Sequence, residues 1–69
     1  MTIGLPFRQV NDDLYHADDG RSVGREYGMT PNGNLLNGRW VLRSADGDFL
    51  DFDQYRHDLA ERNGFCFIS

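Results

Sequence analysis

Lysine is absent from this 69-residue chain, and all seven basic side chains are arginines. There is one cysteine, Cys66, so no internal disulfide can form. With no second thiol and two histidines far apart, His16 and His57, a structural zinc site is not expected. No run approaches the roughly 20 apolar residues of a membrane span. The opening MTIGLPF has neither the basic start nor the apolar run of a signal peptide. Basic charge is scarce too. Eleven acids against seven arginines leave a net charge of −4, which argues against a binder of nucleic acid or anionic membrane. It suits a protein partner with a basic surface. These absences lead us to expect a soluble, cytoplasmic protein without a cofactor.

What is present is a globular composition, 39% hydrophobic and 13% aromatic. Sixty-nine residues make a single domain, 1–69. Such a chain buries only about 60% of its unfolded surface, so a partner subunit is one available support.

Glycine beside Asp or Asn punctuates the chain at Asp19-Gly20, Asn32-Gly33, Asn37-Gly38 and Asp46-Gly47. Glycine tolerates positive φ and Asx side chains bond their own backbone, so these pairs mark turns between short strands. The stretch RWVLRSADGDFLDF reads as a hairpin. A two-residue turn at Asp46-Gly47 would pair Leu42 with Asp51 and Val41 with Phe52. A three-residue loop, Ala45-Asp46-Gly47, pairs Leu42 with Leu50 and Trp40 with Phe52. The second register gathers Trp40, Leu42, Leu50 and Phe52 on one face, and period-two alternation favours it. LYHADDGRSV repeats the device and predicts a hairpin of Asp13–Ala17 with Arg21–Tyr27, pairing Tyr15 with Val23. GMTPNGNLLNG reads as a loop in which Leu35-Leu36 either forms a short strand or plugs the core. Pro6 suits an edge strand near Phe7–Val10.

FDQYRHDLAERN, Phe52–Asn63, reads as a helix. Asp51 and Gln54 have the spacing of a capping box, Arg62 favours the C-terminal end, and Gly64 is a stop. Phe52, Tyr55 and Leu59 form its apolar stripe. In the final FCFIS, Phe65 and Phe67 alternate with Cys66 and Ile68, so both faces are apolar. That pattern fits a strand covered on both sides or one that meets a second subunit. The expected fold is therefore α+β: an antiparallel sheet of four to five short strands with one helix in the C-terminal half.

Six carboxylates crowd Arg43–Arg62: Asp46, Asp48, Asp51, Asp53, Asp58 and Glu61. A calcium loop needs D-x-[DN]-x-[DN]-G with a later Glu, and Asp46-Gly47-Asp48 fails that spacing. A glycosidase pair needs two acids across a cleft in environments that push their pKa values apart, and none sits in an obviously apolar setting. His57 lies one helical turn from Asp53 and from Glu61, but ordinary solvated helix faces produce the same spacing. His16, near a hairpin end, is read as structural or exposed. Cys66 between two phenylalanines reads as a small core hydrophobe, and Trp40 as the largest core residue. No catalytic or metal-binding residue is assigned. The six acids form a candidate partner-binding patch, with Asp12, Asp13, Asp18 and Asp19 as another. Against it stand the interleaved arginines, which make a solvated acidic surface the simpler account.

A very small, acidic, lysine-free chain of hairpins and one helix, without an enzyme motif, resembles the anti-CRISPR inhibitors encoded by phages and mobile elements. The likeness lies in size and composition, so no residue role transfers. It implies a non-catalytic inhibitor occupying a basic surface of a bacterial nucleoprotein complex. The alternative from the residues themselves is an assembly protein that dimerises through Phe65–Ile68.

Overall fold

The computed structural model describes residues 4–68. Six strands and one helix follow in the order β1 Leu5–Asn11, β2 Leu14–Ala17, β3 Ser22–Glu26, β4 Arg39–Arg43, β5 Phe49–Asp53, α1 Arg56–Asn63 and β6 Phe65–Ile68. The sheet order is β5-β4-β3-β2-β1-β6. The α+β class holds, but the sheet has six strands and is mixed, because β6 runs parallel to β1. The expected antiparallel strands are present as β1–β5, and the last strand, whose direction the sequence leaves open, adds a sixth in parallel.

Three turns share one design. Ala17–Arg21, Thr30–Asn34 and Ser44–Asp48 each enclose three residues ending in a glycine, Gly20, Gly33 or Gly47, with φ near +90°. In each, the glycine N–H donates to the first carbonyl and the two flanking residues bond across the neck at 2.8–3.0 Å. Only glycine takes that φ without strain. Tyr15 pairs with Val23 as expected. In the second turn Thr30 is buried, and its Oγ1 accepts the Asn34 N–H. Leu36 is fully buried and Leu35 exposed, so the plug is Leu36.

The Ala45-Asp46-Gly47 loop forms, yet the expected register past it does not. Arg43 pairs with Phe49, but Leu42 then pairs with Asp51, Val41 with Phe52 and Trp40 with Asp53. Leu50 is the extra residue of a β-bulge and is 49% exposed. Trp40, Leu42, Leu50 and Phe52 therefore do not share a face. Asp51 and Asp53 take the core-side positions beside Leu42 and Trp40. Phe52 lies on the outer face with Phe49, their rings 5.8 Å apart. One inserted residue flips everything beyond it, which alternation in sequence does not reveal.

The core comprises Phe7, Tyr15, Ala17, Val23, Trp40, Leu42, Leu59, Ala60 and Phe65. The helix runs from one sheet edge, β5, to the other, β6. Eight residues of helix span about 12 Å, whereas the edges of a flat six-stranded sheet would lie about 24 Å apart. The sheet must curl, and α1 closes the gap, touching β4, β5 and β6.

β1 is not an edge strand, as it lies between β2 and β6. Pro6 is tolerated because β1 pairs with β2 only from Phe7 onward, leaving Pro6 one strand neighbour. The capping box is also corrected. The helix starts at Arg56, Tyr55 is its N-cap with no side-chain cap bond, and Asp51, Phe52 and Asp53 belong to β5. Asp53 Oδ1 instead accepts the Tyr55 N–H, an Asx turn. Only Leu59 of the expected stripe is buried on the helix, and Tyr55 is 60% exposed. Gly64, at φ 74°, ends the helix as anticipated.

On the outer face, Arg43 forks onto Glu26 through Nε at 2.7 Å and Nη2 at 2.6 Å. Gly24 and Val41 are paired between them. A Cβ on Gly24 would lie 3.2 Å from Leu14 Cδ1, and its partner Val41 is fully buried outside the main core.

Candidate functional surface

The six acids near the C-terminal half fall into three settings. Asp46 and Asp48 stand exposed at the β4–β5 turn. That turn touches the β2–β3 turn: a Cβ on Gly20 would lie 2.8 Å from Cβ of Ala45. Asp18 and Asp19 thus join Asp46 and Asp48 at one end of the molecule. Asp19 is bound by its own neighbour Arg21, at 2.7 Å. Asp18, Asp46 and Asp48 take part in no ion pair among the described residues.

Asp51 and Asp53 meet a different fate. Arg62 Nε donates to Asp51 Oδ2 and Nη1 to Asp53 Oδ2, both at 2.9 Å, while Nη2 reaches the Phe52 carbonyl at 3.0 Å. Asn63 Nδ2 adds a second bond to Asp51 Oδ2. Partial burial pushes the Asp51 carboxyl up, but Arg62, Asn63 and the Phe52 N–H together hold it below the usual carboxylate range. The Tyr55 N–H and then Arg62 lower Asp53. The bonds to Asp51 and Asp53 raise Arg62 in turn. These two acids latch helix to sheet, and the single Arg62 charge offsets one of their two.

Asp58 and Glu61 lie on the exposed face of α1. Glu61 approaches His57 Nε2 at 3.7 Å, with both side chains over three-quarters exposed. This is the solvated helical pair the spacing allowed, and no Ser or Cys nucleophile lines the clefts beside His57 except Cys66. Cys66 is half-buried, with Sγ 3.5 Å from the Gly4 carbonyl. His16 is exposed on β2. Among the described residues no three His, Cys, Asp or Glu side chains gather where a metal ion could be held, and no helix is long and apolar enough to cross a membrane.

The opposite end of the sheet carries a feature that sequence reasoning missed. Arg25 pairs with Trp40, beside Arg39, and the start of α1 adds Arg56 and His57. Together with Tyr55 they line an open cleft of about 600 Å³ that has no carboxylate in its wall. Arg25 Cζ lies 5.4 Å and Arg56 Cζ 5.6 Å from the Trp40 ring centre. Arg56 also covers Tyr15 and Phe67, at 5.2 and 5.6 Å. The three arginines are 14 and 17 positions apart in the chain. Only the β3–β4 register, which places Arg25 opposite Trp40, could have signalled the cluster.

The unpaired acids Asp18, Asp46 and Asp48 thus gather at the two touching turns, near Arg21 and Arg43, while Arg25 and Arg56 gather at the cleft, with Asp13 beside Arg25. β4 separates the two ends by roughly 14 Å, more than a Debye length of about 10 Å at 0.1 M salt. Compared with models of protein families, with curated proteins and with solved structures, the chain matches none.

Proposed function

We propose that this is a non-catalytic binding protein that docks its acidic turn end on a basic surface of a protein partner. The observation that carries the reading is the contact between the β2–β3 and β4–β5 turns, which concentrates Asp18, Asp19, Asp46 and Asp48 on a glycine-fixed framework. Carboxylates held on rigid turns lose little freedom on binding and speed encounter with a cationic surface. The resemblance to anti-CRISPR inhibitors suggests that such a surface belongs to a bacterial nucleoprotein complex, which would place the protein in the cytoplasm as an inhibitor by occupancy. Of the six acids read from sequence, Asp46 and Asp48 serve this role. Asp58 and Glu61 lie on the exposed helix face as a further acidic surface, and Asp51 and Asp53 serve the latch.

The test is affinity capture from a bacterial host lysate in low and high salt, repeated with Asp18, Asp46 and Asp48 all changed to Asn. The reading expects a partner that is retained in low salt and lost both in high salt and with the triple variant. A partner retained equally by the variant at both salts would refute it.

A second reading is favoured by β6, which is an edge strand with Ile68 39% exposed and Cys66 and Phe67 half-buried. An uncovered edge with apolar residues is a template for pairing with a second copy. Sedimentation over a range of concentrations tests it, and a monomer throughout removes it.

A further inference from the structure

We infer that the cationic cleft is a binding site for a nucleotide, with phosphate held by Arg25 and Arg56 and the planar base laid against Tyr55. Each guanidinium is positioned before any ligand arrives. Arg25 and Arg56 place their guanidinium carbons 5.4 and 5.6 Å from the Trp40 ring centre, within cation–π range, which holds both cations beside the same ring. Arg39 contributes its strand position to the cleft wall, while its side chain takes the outer face opposite Glu26 and bonds the Leu35 and Leu36 carbonyls through Nη1 at 2.9 and 3.4 Å. Arg25 has only a loose neighbour, Asp13 at 3.8 Å, and Arg56 takes part in no ion pair among the described residues. Two like charges beside one cleft without a carboxylate in its wall repel each other, and an anion relieves that repulsion. Phosphate oxygens match the guanidinium fork. Tyr55, 60% exposed at the rim, offers an unused ring face to a base.

Size and charge select among anions. The cleft volume is that of a small-molecule site, typically about 300–1,000 Å³. A long polyanion would run from the arginines past Asp13 and along a protein of net charge −4, whereas a single nucleotide fits within the carboxylate-free cleft. The inference does not rest on the role of the acidic turns, which lie at the other end.

Trp40 is the sole tryptophan and forms the cleft floor, so its fluorescence reports occupancy. The full chain is titrated with AMP, ADP, adenosine, inorganic phosphate and a single-stranded oligonucleotide of roughly twelve nucleotides. AMP or ADP should give saturable quenching with Kd on the order of 0.1 mM, and adenosine or phosphate alone should bind at least about tenfold more weakly. Arg56→Gln should weaken AMP by about tenfold. Tyr55→Ala, at an exposed position, should weaken AMP but leave phosphate unchanged. The inference is overturned by no saturable response to either nucleotide up to about 5 mM, or by AMP affinity unchanged in both variants. An oligonucleotide that binds more tightly than AMP in proportion to its phosphates also overturns it, because the groove is then one for a strand.

Discussion

A methyl group on Gly4 would lie 2.7 Å from Cα of Phe65 and 2.8 Å from the Gly64 carbonyl oxygen, both backbone atoms that have no rotamer to escape into. Gly28 has nothing within 4 Å of the same position. Gly4→Ala should therefore cost about 1–3 kcal/mol by forcing β1 away from β6, whereas Gly28→Ala should stay within about 0.5 kcal/mol. Urea midpoints of the two variants check this, and equal midpoints would show that the close approach is absent. The single-residue features visible in sequence were those with local chemistry. Gly20 and Gly47 announce their turns because Asp-Gly needs only its own backbone, and Gly64 announces the helix end for the same reason. Gly4 gives no such sign, since what crowds it lies sixty residues away in the chain.

At the level of elements, the bulge in β5 and the Arg62 latch are one structure. Without the extra residue at Leu50, Asp51 and Asp53 would point away from α1, and Arg62 could not bridge them. The register predicts unequal costs for two leucines. Leu42→Ala, in the core, should cost about 2–4 kcal/mol, and Leu50→Ala, exposed on the bulge, less than about 0.5 kcal/mol. Similar losses would restore the register read from alternation. The latch predicts a pH dependence. Asp51 and Asp53 have carboxyls below the ordinary range when folded, as does Asp19, whose main cause is the Arg21 N–H. Their stabilisation is complete above the unfolded carboxylate value of about 3.9 and is lost as pH falls through the lower folded values. Arg62→Gln should thus lower the urea midpoint at about pH 6 and approach the unaltered protein at about pH 2. Parallel curves would mean that the ion pairs contribute nothing. The two hairpin loops and the Tyr15–Val23 register were legible because turn length fixes pairing. The bulge and the late helix start were not, because they depend on how α1 packs back on β5, and the parallel β6 was not, because its partner β1 lies sixty residues away in the chain.

Across the whole molecule, curling brings the two edge strands to a single short helix, with unpaired acids gathered at one end and a carboxylate-free cleft at the other. The overall composition conceals this. A net −4 argued for an acidic surface and against anion binding, yet the arrangement gives one acidic end and one cationic cleft. Net charge is a sum, and the sum carries no information about which strand ends coincide. The acidic patch was legible only in part: Asp46 and Asp48 keep their exposed place, Asp51 and Asp53 are taken by Arg62, and Asp18 and Asp19 enter from the other hairpin. The most direct test of this separation is the paramagnetic broadening of backbone amide signals by a cationic and by an anionic soluble nitroxide. The cationic probe should broaden Asp18–Gly20 and Asp46–Asp48 more strongly, and the anionic probe Arg25, Arg39 and Arg56. A ratio of the two effects that stays constant along the chain would contradict the account.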